Sequence, residues 1–575
     1  MVAPPAAGPD RSGAARLDRR TLLLGAFGAV LATAGCTPPG LPPVQTPTSS
    51  GPEPSTSVPN RSVIVGIDAT TAGFNPHAIA DFSPVTMAVA ALVLPSATWI
   101  DTSGHWQLNP DLAQAAEVSS RQPFTVTYTL DRAASWSDGT PITGEDFSYL
   151  WQQMSTAPGV FEPAGYRLIS QVRSRQGGKL VEVEFAAPFP DWQSLFHHLL
   201  PAHILKDAPG GWAETLSAGI PVSGSYYKMA SLDTVTGEIT LQRNDKYWGS
   251  QRGPASVVLR MGATSDLLGA LSRGDVQAAE LRPGPSDGPA LATVPAERRA
   301  LVPLPAVTQL VFDTTAGPAA DVHVRTAIAH AIDAGQIREV LAGGTSGTPV
   351  ELPVPTTIGL AADAVLEPGK VPPSAEAPPD IGAAVRELAE AGYRMAGLYV
   401  ARDGATLVLR IGYPLPDRSL AAAGRELQRQ LGSAGIEVDL VGFAPHRLLA
   451  ALTEQRCDAA LITMPHGASD AVAASSQFGC PPDAAAGQAG ARNPSGWCSL
   501  TAQAALDDAL TGAASPDAAD HEVTRARPAL ALAQPAVLFV APGPVAELRG
   551  PDPTGPAPSW VFESPLSGIV EWPGR

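Results

Sequence analysis

The chain has 575 residues and carries 55 acidic against 38 basic side chains, which gives a formal net charge of −17. This charge argues against a nucleic-acid partner and against broad adhesion to anionic lipid, because both require a basic face. The length allows about two to four domains, and the 44% hydrophobic content predicts a mostly globular chain whose 55 glycines and 58 prolines supply linkers and loops.

The first predicted element is an export signal. Residues 21–34 form an uncharged stretch of 14 residues behind a basic segment that ends in Arg19 and Arg20. Because a membrane span needs about 20 apolar residues, this stretch is interpreted as the hydrophobic part of a signal peptide. The paired arginines are typical of twin-arginine signals. A general secretory signal with two chance arginines is the alternative.

The signal ends in the letters TAGC at Cys36, which resemble the lipobox of bacterial lipoproteins. Ala34 and Gly35 are small enough for a peptidase to reach the bond before the cysteine, whose thiol would then carry diacylglycerol through a thioether. Thr33 departs from the usual leucine. An ordinary signal peptide with an unmodified Cys36 is the alternative.

A proline-rich tether follows the cysteine. Residues 37–60 contain eight prolines among serines and threonines, so the segment is expected to be extended rather than packed. At about 3 Å per residue it could hold a domain up to about 70 Å from its anchor. A lipid-anchored globular protein on the outer face of the cell membrane is the expected arrangement.

The first strand of the globular part is predicted at residues 61–70 and a later one at 124–130, because apolar side chains alternate in both. The stretch that follows predicts a tight turn around Asp138, and then a helix. Thr143 would cap that helix and Asp146 would complete a capping box.

Two tryptophans of this stretch, Trp136 and Trp151, are interpreted first as packing residues. Phe147, Leu150 and Met154 share one helix face with Trp151, at the spacing of an apolar stripe. The alternative for Trp136 is a position that faces a sugar or a lipid.

Alternating apolar residues predict further strands at 179–189, 238–249 and 306–315. A helix is predicted at 321–333. His197 and His198 fall in another predicted helix, where adjacent side chains point about 100° apart and make a poor metal pair. Residues 345–380 are proline-rich, have no period and are predicted to be loop.

The second half of the chain predicts alternating helices and strands. A helix is predicted to begin at Ile381 and to end at Gly392. The side chains of Ile381, Val385 and Leu388 are expected to face inward. The predicted strands of this region are 406–413, 436–443 and 457–464. A helix stands between the first two strands, and that order predicts parallel pairing with a right-handed crossover.

The remaining cysteines are Cys457, Cys480 and Cys498. The last two flank a stretch rich in Gly, Pro and Asn, so a disulfide that closes this loop is expected in a protein outside the cytoplasm. Cys457 would then be a lone core residue. The cysteines have no zinc-ligand spacing.

Several separated stretches together resemble the family 5 extracellular solute-binding proteins, the oligopeptide- and dipeptide-binding components of ABC importers. They are residues 126–151, 221–249 and 321–333, with two helix ends at 388–393 and 431–440. The resemblance implies an α/β, bilobed, periplasmic-binding-protein-like fold of class II, with a ligand cleft between two lobes and a discontinuous first domain.

The domain boundaries implied by the resemblance follow the chain. They are a signal peptide at 1–35, a lipidated cysteine and tether at 36–60, a first lobe at 61–305 with an inserted subdomain at about 105–220, a second lobe at 306–530, and a return segment with a tail at 531–575. Closing such lobes over a ligand is a hinge motion.

The resemblance also implies where the cleft lies. The candidate ligand-binding residues are Asn75, His77, Phe82, Ser225, Tyr226, Thr308, Gln309, Met464 and His466. Peptide binders of the family place an acid after the last predicted strand, where His466 stands here and Asp470 comes several residues late. A peptide's ammonium group would lack its counter-charge, so a neutral ligand such as a glycan or glycolipid is expected.

The signal, tether and Ala/Pro-rich composition, with the letters around the two loop cysteines, resemble an actinobacterial lipoprotein subgroup of that family. The subgroup is associated with mannosylated phosphatidylinositol and its routing toward lipomannan and lipoarabinomannan. The resemblance therefore implies a binding protein for an acylated phosphatidylinositol mannoside, with an envelope mannosyltransferase as a possible class of partner. The alternative is a receptor that delivers oligopeptides or another small solute to an ABC permease.

An enzyme would need a constellation of reactive groups, and the chain has no GxSxG, HExxH, P-loop or GxGxxG motif. The letters HEVTR at 521–525 lack the second histidine of a zinc motif. The expectation is a non-catalytic protein without a cofactor or a metal.

Overall fold

The computed structural model describes residues 62–68, 72–100, 106–282, 284, 286–343, 378–465, 467, 469–480, 493–512, 537–550 and 565–571. All of them belong to one unit of contacts, Ser57–Arg575. The expected signal with Arg19 and Arg20, the expected lipid site Cys36, the tether and the candidate His466 lie outside the described residues. Among the helices that are described, none combines the length and the apolar character needed to cross a membrane.

The strands of the described part are numbered β1 to β19 in chain order. They are Ser62–Ile67, Thr98–Ile100, Trp106–Leu108, Ala113–Arg121, Phe124–Leu130, Ile169–Arg175, Leu180–Phe185, Tyr227–Asp233, Glu238–Arg243, Ser256–Met261, Ala278–Leu281, Arg299–Phe312, Arg394–Ala396, Tyr399–Arg402, Ala405–Thr406, Val408–Pro414, Glu437–Phe443, Ala459–Pro465 and Val537–Arg549.

The α-helices of the described part are numbered α1 to α14 in the same way. They are Pro84–Val93, Gly144–Thr156, Ala164–Arg167, Ala202–Leu205, Gly211–Ser217, Thr264–Arg273, Gly288–Leu291, Val322–Ala331, Ala334–Leu341, Ile381–Glu390, Arg418–Ser433, Pro445–Thr453, Asp470–Phe478 and Leu500–Thr511. A short 3₁₀ segment, Pro565–Glu571, follows the last strand.

Ten strands form one sheet in the order β17-β16-β18-β12-β19-β11-β1-β10-β9-β8. At one end β16 is parallel to β17 and to β18, as the strand-helix-strand order predicts. At the other end β1 is parallel to β10 and to β11. A separate four-stranded antiparallel sheet, β4-β5-β7-β6, belongs to the first half of the chain.

Two long antiparallel strands, β12 and β19, join the two halves of the large sheet. The start of β12 pairs with the end of β19 beside β11, and the end of β12 pairs with the start of β19 beside β18. The register shifts between Pro303 and Val307. We call the elements before β12 the first lobe and those between β12 and β19 the second lobe, and the chain crosses between them twice.

Each lobe has its own buried core. The largest cluster gathers the four-stranded sheet, α1, α2 and the start of the large sheet, and it includes Trp136, Tyr128 and Phe147. A second cluster packs α8, α10 and α11 against β12, β16 and β18, with Leu310 and Ile411 at its centre. The α/β bilobed fold implied by the resemblance is therefore the fold that the chain adopts.

The turn and helix predicted at residues 134–151 are confirmed. Helix α2 begins after Thr143, whose backbone N–H donates to Asp146 Oδ2 at 2.8 Å, and both halves of the capping box are present. Phe147, Leu150 and Met154 are buried on one face, and Trp136 has no exposed surface. Trp136 is therefore a packing residue and the sugar-facing alternative is wrong.

Two local predictions are wrong. His197 and His198 lie in irregular backbone and not in a helix, because Phe196 and His198 have left-handed φ angles of 61° and 47°. These angles bring the His198 backbone N–H to Ser96 Oγ at 2.9 Å. Val385 of α10 was expected to face inward but is 38% exposed, because Ala384 and Leu388 carry the buried stripe.

Candidate functional site

The cleft between the lobes contains an apolar cavity of about 820 Å³, within the size range of ligand pockets. The first lobe contributes residues 72–81, 158–163 and 213–217, and the second lobe contributes parts of β12, β18, α12 and α13. We call it the apolar compartment. Its buried apolar side chains are Ile79, Val160, Val307, Ile462, Met464, Ala474 and Phe478.

Most buried polar side chains of the apolar compartment are already bonded. Gln309 on β12 accepts a hydrogen bond from Gln477 on α13. Ser476 Oγ accepts one from the backbone N–H of Ala164 at 3.1 Å. The compartment therefore offers a ligand few polar partners, which suits hydrocarbon better than a chain of hydroxyl groups.

Asn75 is the exception. Its side chain is 1% exposed, its Oδ1 accepts from the His77 backbone N–H at 3.0 Å, and its Nδ2 has no hydrogen-bond partner in the described part of the protein. The bond to Oδ1 fixes the orientation of the amide, so the free group is a donor. A buried donor without a partner costs about 1–3 kcal/mol. This nitrogen has almost no accessible surface, so a ligand oxygen would recover that cost only after neighbouring side chains shift.

A second cavity of about 550 Å³ adjoins the first. The two cavities share Phe161, Glu162 and Pro465 in their linings. We call the second the aromatic compartment. Its aromatic and histidine side chains are Phe82, Trp99, Trp106, Phe161, Tyr166, Tyr226, Tyr247, Trp248, His77, His197 and His198.

One carboxylate braces the aromatic wall. Tyr226 and Tyr247 both donate their hydroxyls to Asp111 Oδ2, and Trp248 Nε1 donates to the backbone oxygen of the same residue. The rings of Tyr226 and Tyr247 lie 4.7 Å apart between centroids. Burial raises the pKa of both phenols, so they remain neutral donors. Flat rings beside a carboxylate and Arg252 suit the C–H faces and hydroxyls of a sugar.

The histidines of the aromatic compartment are neutral. Burial lowers the pKa of His77 and of His197 to about 4 and lowers that of His198 well below its ordinary value. His77 Nε2 donates to the His198 backbone oxygen at 3.0 Å and its ring stacks on Trp212. These rings shape the wall and add no positive charge. No group of three or more potential metal ligands occurs among the described residues.

Direct contacts hold the lobes together beside the cleft. The Glu162 carboxylate of the first lobe accepts from the Gly467 backbone N–H of the second. Ser469 Oγ donates to Asp191 Oδ2 at 2.9 Å. Gly467 and Ser469, which follow β18, are thus held by acids of the first lobe, and Gly467 also lines the aromatic compartment.

An ion pair joins the lobes at another place. Arg282, after β11, contacts the carboxylate of Asp417 at 2.9 Å, and Asp417 also caps α11. The Arg282 backbone N–H donates to Asp68, whose pKa burial raises. All these contacts describe a closed arrangement of the lobes.

The ligand-binding residues predicted from the family resemblance lie in several parts of the structure. Asn75, Gln309 and Met464 line the apolar compartment. His77, Phe82, Ser225 and Tyr226 line the aromatic compartment. Thr308 is buried beside Thr463, with 3.2 Å between the hydroxyl oxygens, and lines neither cavity. His466 lies outside the described residues. Their roles in ligand binding stay predictions.

The expected disulfide is present. Cys480, after α13, is bonded to Cys498, before α14, and Cys457 is free and buried. The bond ties the end of a cleft-lining helix to the next helix. The lone core position expected for Cys457 is also confirmed.

Sequence reasoning missed most of the aromatic wall. Trp106 and Asp111 are far in sequence from Tyr247 and Trp248, yet all four line one cavity. The resemblance had indicated His77, Phe82 and Tyr226, and the adjacent letters of Tyr247 and Trp248 at the end of the strand predicted at 238–249 were a local signal for two more rings. Sequence reasoning also missed Glu162, which has a left-handed φ of 51° that no sequence pattern indicated.

Comparison with known proteins places this geometry in a family. The sequence model described as "Bacterial extracellular solute-binding proteins, family 5 Middle" matches residues 107–485. A *Mycobacterium tuberculosis* protein named "Probable monoacyl phosphatidylinositol tetramannoside-binding protein LpqW" is 35% identical over 487 residues, which cover 79% of this chain and 76% of that protein.

More distant relatives are named for other ligands. The "Oligopeptide-binding protein OppA" of *Mycobacterium bovis* is 26% identical over 61% of this chain and 59% of its own length. The oligopeptide-binding protein AppA of *Bacillus subtilis*, solved with a nonapeptide, superposes with a TM-score of 0.70 at 15% identity, over 89% of this chain and 99% of that one. The structural likeness shows the fold alone.

Proposed function

Because this chain belongs to the family 5 bacterial extracellular solute-binding proteins, we propose that it binds an acylated phosphatidylinositol mannoside outside the cytoplasm. In this proposal the protein is anchored by lipid on Cys36 and presents the glycolipid for lipomannan and lipoarabinomannan synthesis. Its partner is an envelope mannosyltransferase, and the binding protein itself performs no chemistry.

The observation that carries the proposal is the pairing of an apolar and an aromatic compartment in one cleft. A glycolipid has one apolar part and one part rich in hydroxyl groups, which match the two linings. The 35% identical relative supports the same ligand class, since it is named as a probable binding protein for a monoacyl phosphatidylinositol tetramannoside.

The test is native mass spectrometry of the protein purified from its own envelope with mild detergent. We expect a bound species whose mass and fragments identify an acylated phosphatidylinositol mannoside, and transfer of the same lipid to protein produced without it. A bound peptide, or no uptake of the purified glycolipid, would contradict the proposal.

Membrane anchoring is checked separately. Wild-type protein should fractionate with the membrane and carry a diacylglycerol mass on its amino-terminal cysteine, whereas a Cys36→Ala variant should be released. The matched control is Cys457→Ala, which removes a thiol that is buried in the fold and should leave the fractionation unchanged. Soluble wild-type protein would count against the anchor.

A second candidate function is a receptor that delivers oligopeptides to an ABC permease. One observation favours it: the Glu162 carboxylate lines both compartments and could pair with a peptide's ammonium group. In that case Glu162→Gln would weaken peptide binding about tenfold or more and would leave glycolipid binding nearly unchanged. Calorimetry with a peptide library and with the glycolipid separates the two functions.

A further inference from the structure

We infer that the two compartments hold opposite ends of one amphiphilic ligand, with its hydrocarbon chain in the apolar compartment, its polyol head in the aromatic compartment and its oxygen-bearing junction beside Asn75. The inference rests on the proposed function, because it takes the ligand to be a glycolipid. It adds the orientation of the ligand and names Asn75 as the residue that donates to the oxygen at the junction.

The apolar compartment suits the hydrocarbon end. Its buried surface comes from side chains such as Ile462, Met464 and Phe478. Glu214 and His446 in its lining are exposed, so they lie where the cavity meets solvent. The carboxylates of Asp81 and Glu162 are partly buried and already accept hydrogen bonds from the backbone N–H groups of Asn75 and Gly467. A sugar placed here would lose its hydration and gain few hydrogen bonds.

The aromatic compartment suits the polyol end. Trp99 is 45% exposed and Trp106 is half-buried, so both present ring surface toward the cavity mouth. Asp111 holds Tyr226 and Tyr247 in fixed positions. Rings that are already positioned lose little entropy on binding, so stacking on the C–H face of a sugar carries a small ordering cost.

Asn75 lies where the polypeptide passes from the lining of one compartment to the lining of the other. Asn75 lines the apolar cavity and His77, two residues later, lines the aromatic one. The His77 backbone oxygen accepts from the N–H of Phe161, which borders both cavities. The unpartnered Nδ2 of Asn75 is therefore a donor near the boundary. It has almost no accessible surface in this closed arrangement, so the oxygen that links the hydrocarbon chain to its head would reach it after a small shift of the side chains around it.

The test of the apolar end is a series of alkyl mannosides from butyl to dodecyl, measured by calorimetry. We expect wild-type affinity to rise about threefold to fourfold for each added methylene until the cavity is filled. Ala450→Phe and Ala473→Phe place a ring in the apolar compartment from two different helices. Both variants should stop the rise at a shorter chain and keep the preference for a mannoside head.

The test of the polyol end compares octyl mannoside with an octyl polyethylene-glycol ether of equal chain length. Wild-type protein should prefer the mannoside, and Trp99→Ala or Trp106→Ala should lower that preference about twofold to tenfold. The dependence on chain length should not change. Because Trp99 is exposed, its removal should leave the melting temperature close to that of the wild type.

The test of the junction is Asn75→Ala. It should lower the affinity of every alkyl mannoside by the same factor, about threefold to tenfold, while the chain-length dependence and head preference are kept. Alanine also removes the acceptor of the His77 N–H, so Asn75→Asp, which keeps that acceptor, is the second variant. A loss seen with alanine but not with aspartate would assign a structural role to Asn75.

The orientation is overturned if tryptophan variants shorten the accepted chain, or if cavity-filling variants abolish the mannoside preference. Such a result would leave the proposed function intact as long as native mass spectrometry finds the glycolipid. If instead the protein carries a peptide and binds no alkyl mannoside, both the function and the orientation fail.

Discussion

Three histidines beside the aromatic compartment are buried in the neutral form, and this has a consequence for acid stability. The unfolded chain takes up protons on histidine near the ordinary pKa of 6.5, whereas folded His77 and His197 do so only at about 4. Between these values the unfolded state binds more protons, so the free energy of unfolding falls as the pH is lowered.

Asp146 acts in the opposite direction. Burial raises its pKa to about 6 from 3.8, so the folded state binds its proton first and gains stability as the pH falls through that range. Burial raises the pKa of Asp68 and of Asp81 as well, so these three carboxyl groups together offset part of the effect of the histidines. The contribution of one histidine is therefore measured by substituting it and not from the net slope.

We expect the melting temperature of His77→Gln to fall less than that of the wild type, or to rise more, as the pH is lowered from 6.5 to 4. Glutamine keeps a donor for the His198 backbone oxygen and removes the titrating group. Differential scanning calorimetry at several pH values measures the slope. His323→Gln is the control, because Glu387 raises the pKa of this exposed histidine above 6.5. Its contribution therefore changes with pH above that value, and its removal should leave the slope between pH 6.5 and pH 4 nearly unchanged. An unchanged slope in His77→Gln would refute the assignment.

At the residue scale the family resemblance, and not a local pattern, indicated residues in both walls of the site. Asn75, Gln309 and Met464 line the apolar compartment, and four further candidates line the aromatic one. The sequence could not show that the Tyr247 hydroxyl donates to Asp111, because no local pattern links residues so far apart in the chain. Tertiary contact alone brings them together.

Among the elements, α13 has the most direct bearing on the cleft. It contributes Ala473, Ala474 and Phe478 to the apolar compartment and it packs against the first lobe through Ser476. The Cys480–Cys498 bond fixes the end of this helix relative to α14. The sequence separation of 18 residues in this bond limits the freedom of the unfolded chain.

Replacing both loop cysteines by serine should lower the free energy of unfolding by about 3 kcal/mol and should also weaken ligand binding, because α13 loses its restraint. Urea titration and calorimetry measure the two effects. Reducing agent should destabilise the wild type to the same extent and leave the double variant unchanged. If the reductant also destabilised the double variant, the loss of stability in the reduced wild type would not come from the disulfide alone.

Helices were predicted correctly where side chains close in sequence determine the backbone conformation. Thr143 and Asp146 form a capping box whatever the surroundings, and α2 begins where they indicate. Prediction failed where tertiary contacts override the pattern. The apolar letters around His197 suggest a helix, but Ser96 captures the His198 N–H and the backbone turns away.

The whole molecule is held closed by contacts that cross the cleft. Glu162 meets Gly467, Asp191 meets Ser469, and Arg282 on the first lobe meets Asp417 on the second. Such contacts are weak singly, so a ligand that bridges the lobes would add to them. Opening would bend β12 and β19 near their register shift.

Gly467→Ala should favour the open arrangement. A Cβ at this position would lie 2.0 Å from Glu162 Oε2, so the carboxylate must move and the lobes lose a charge-assisted hydrogen bond. We expect a larger radius of gyration by small-angle X-ray scattering and an affinity about tenfold lower. Gly432→Ala, where a Cβ meets nothing within 4 Å, is the control. Unchanged scattering in both variants would show that this contact does not hold the lobes.

The pairing of β12 with β19 makes the second lobe a topological insertion. Val311 on the outgoing strand is the register partner of Val537 on the returning one, so the intervening polypeptide leaves and re-enters at neighbouring points. A short turn could therefore reconnect the first lobe while the excised part is circularly permuted or produced alone. Two fragments divided at this point could serve as a split reporter, because their reassembly would depend on the bound ligand.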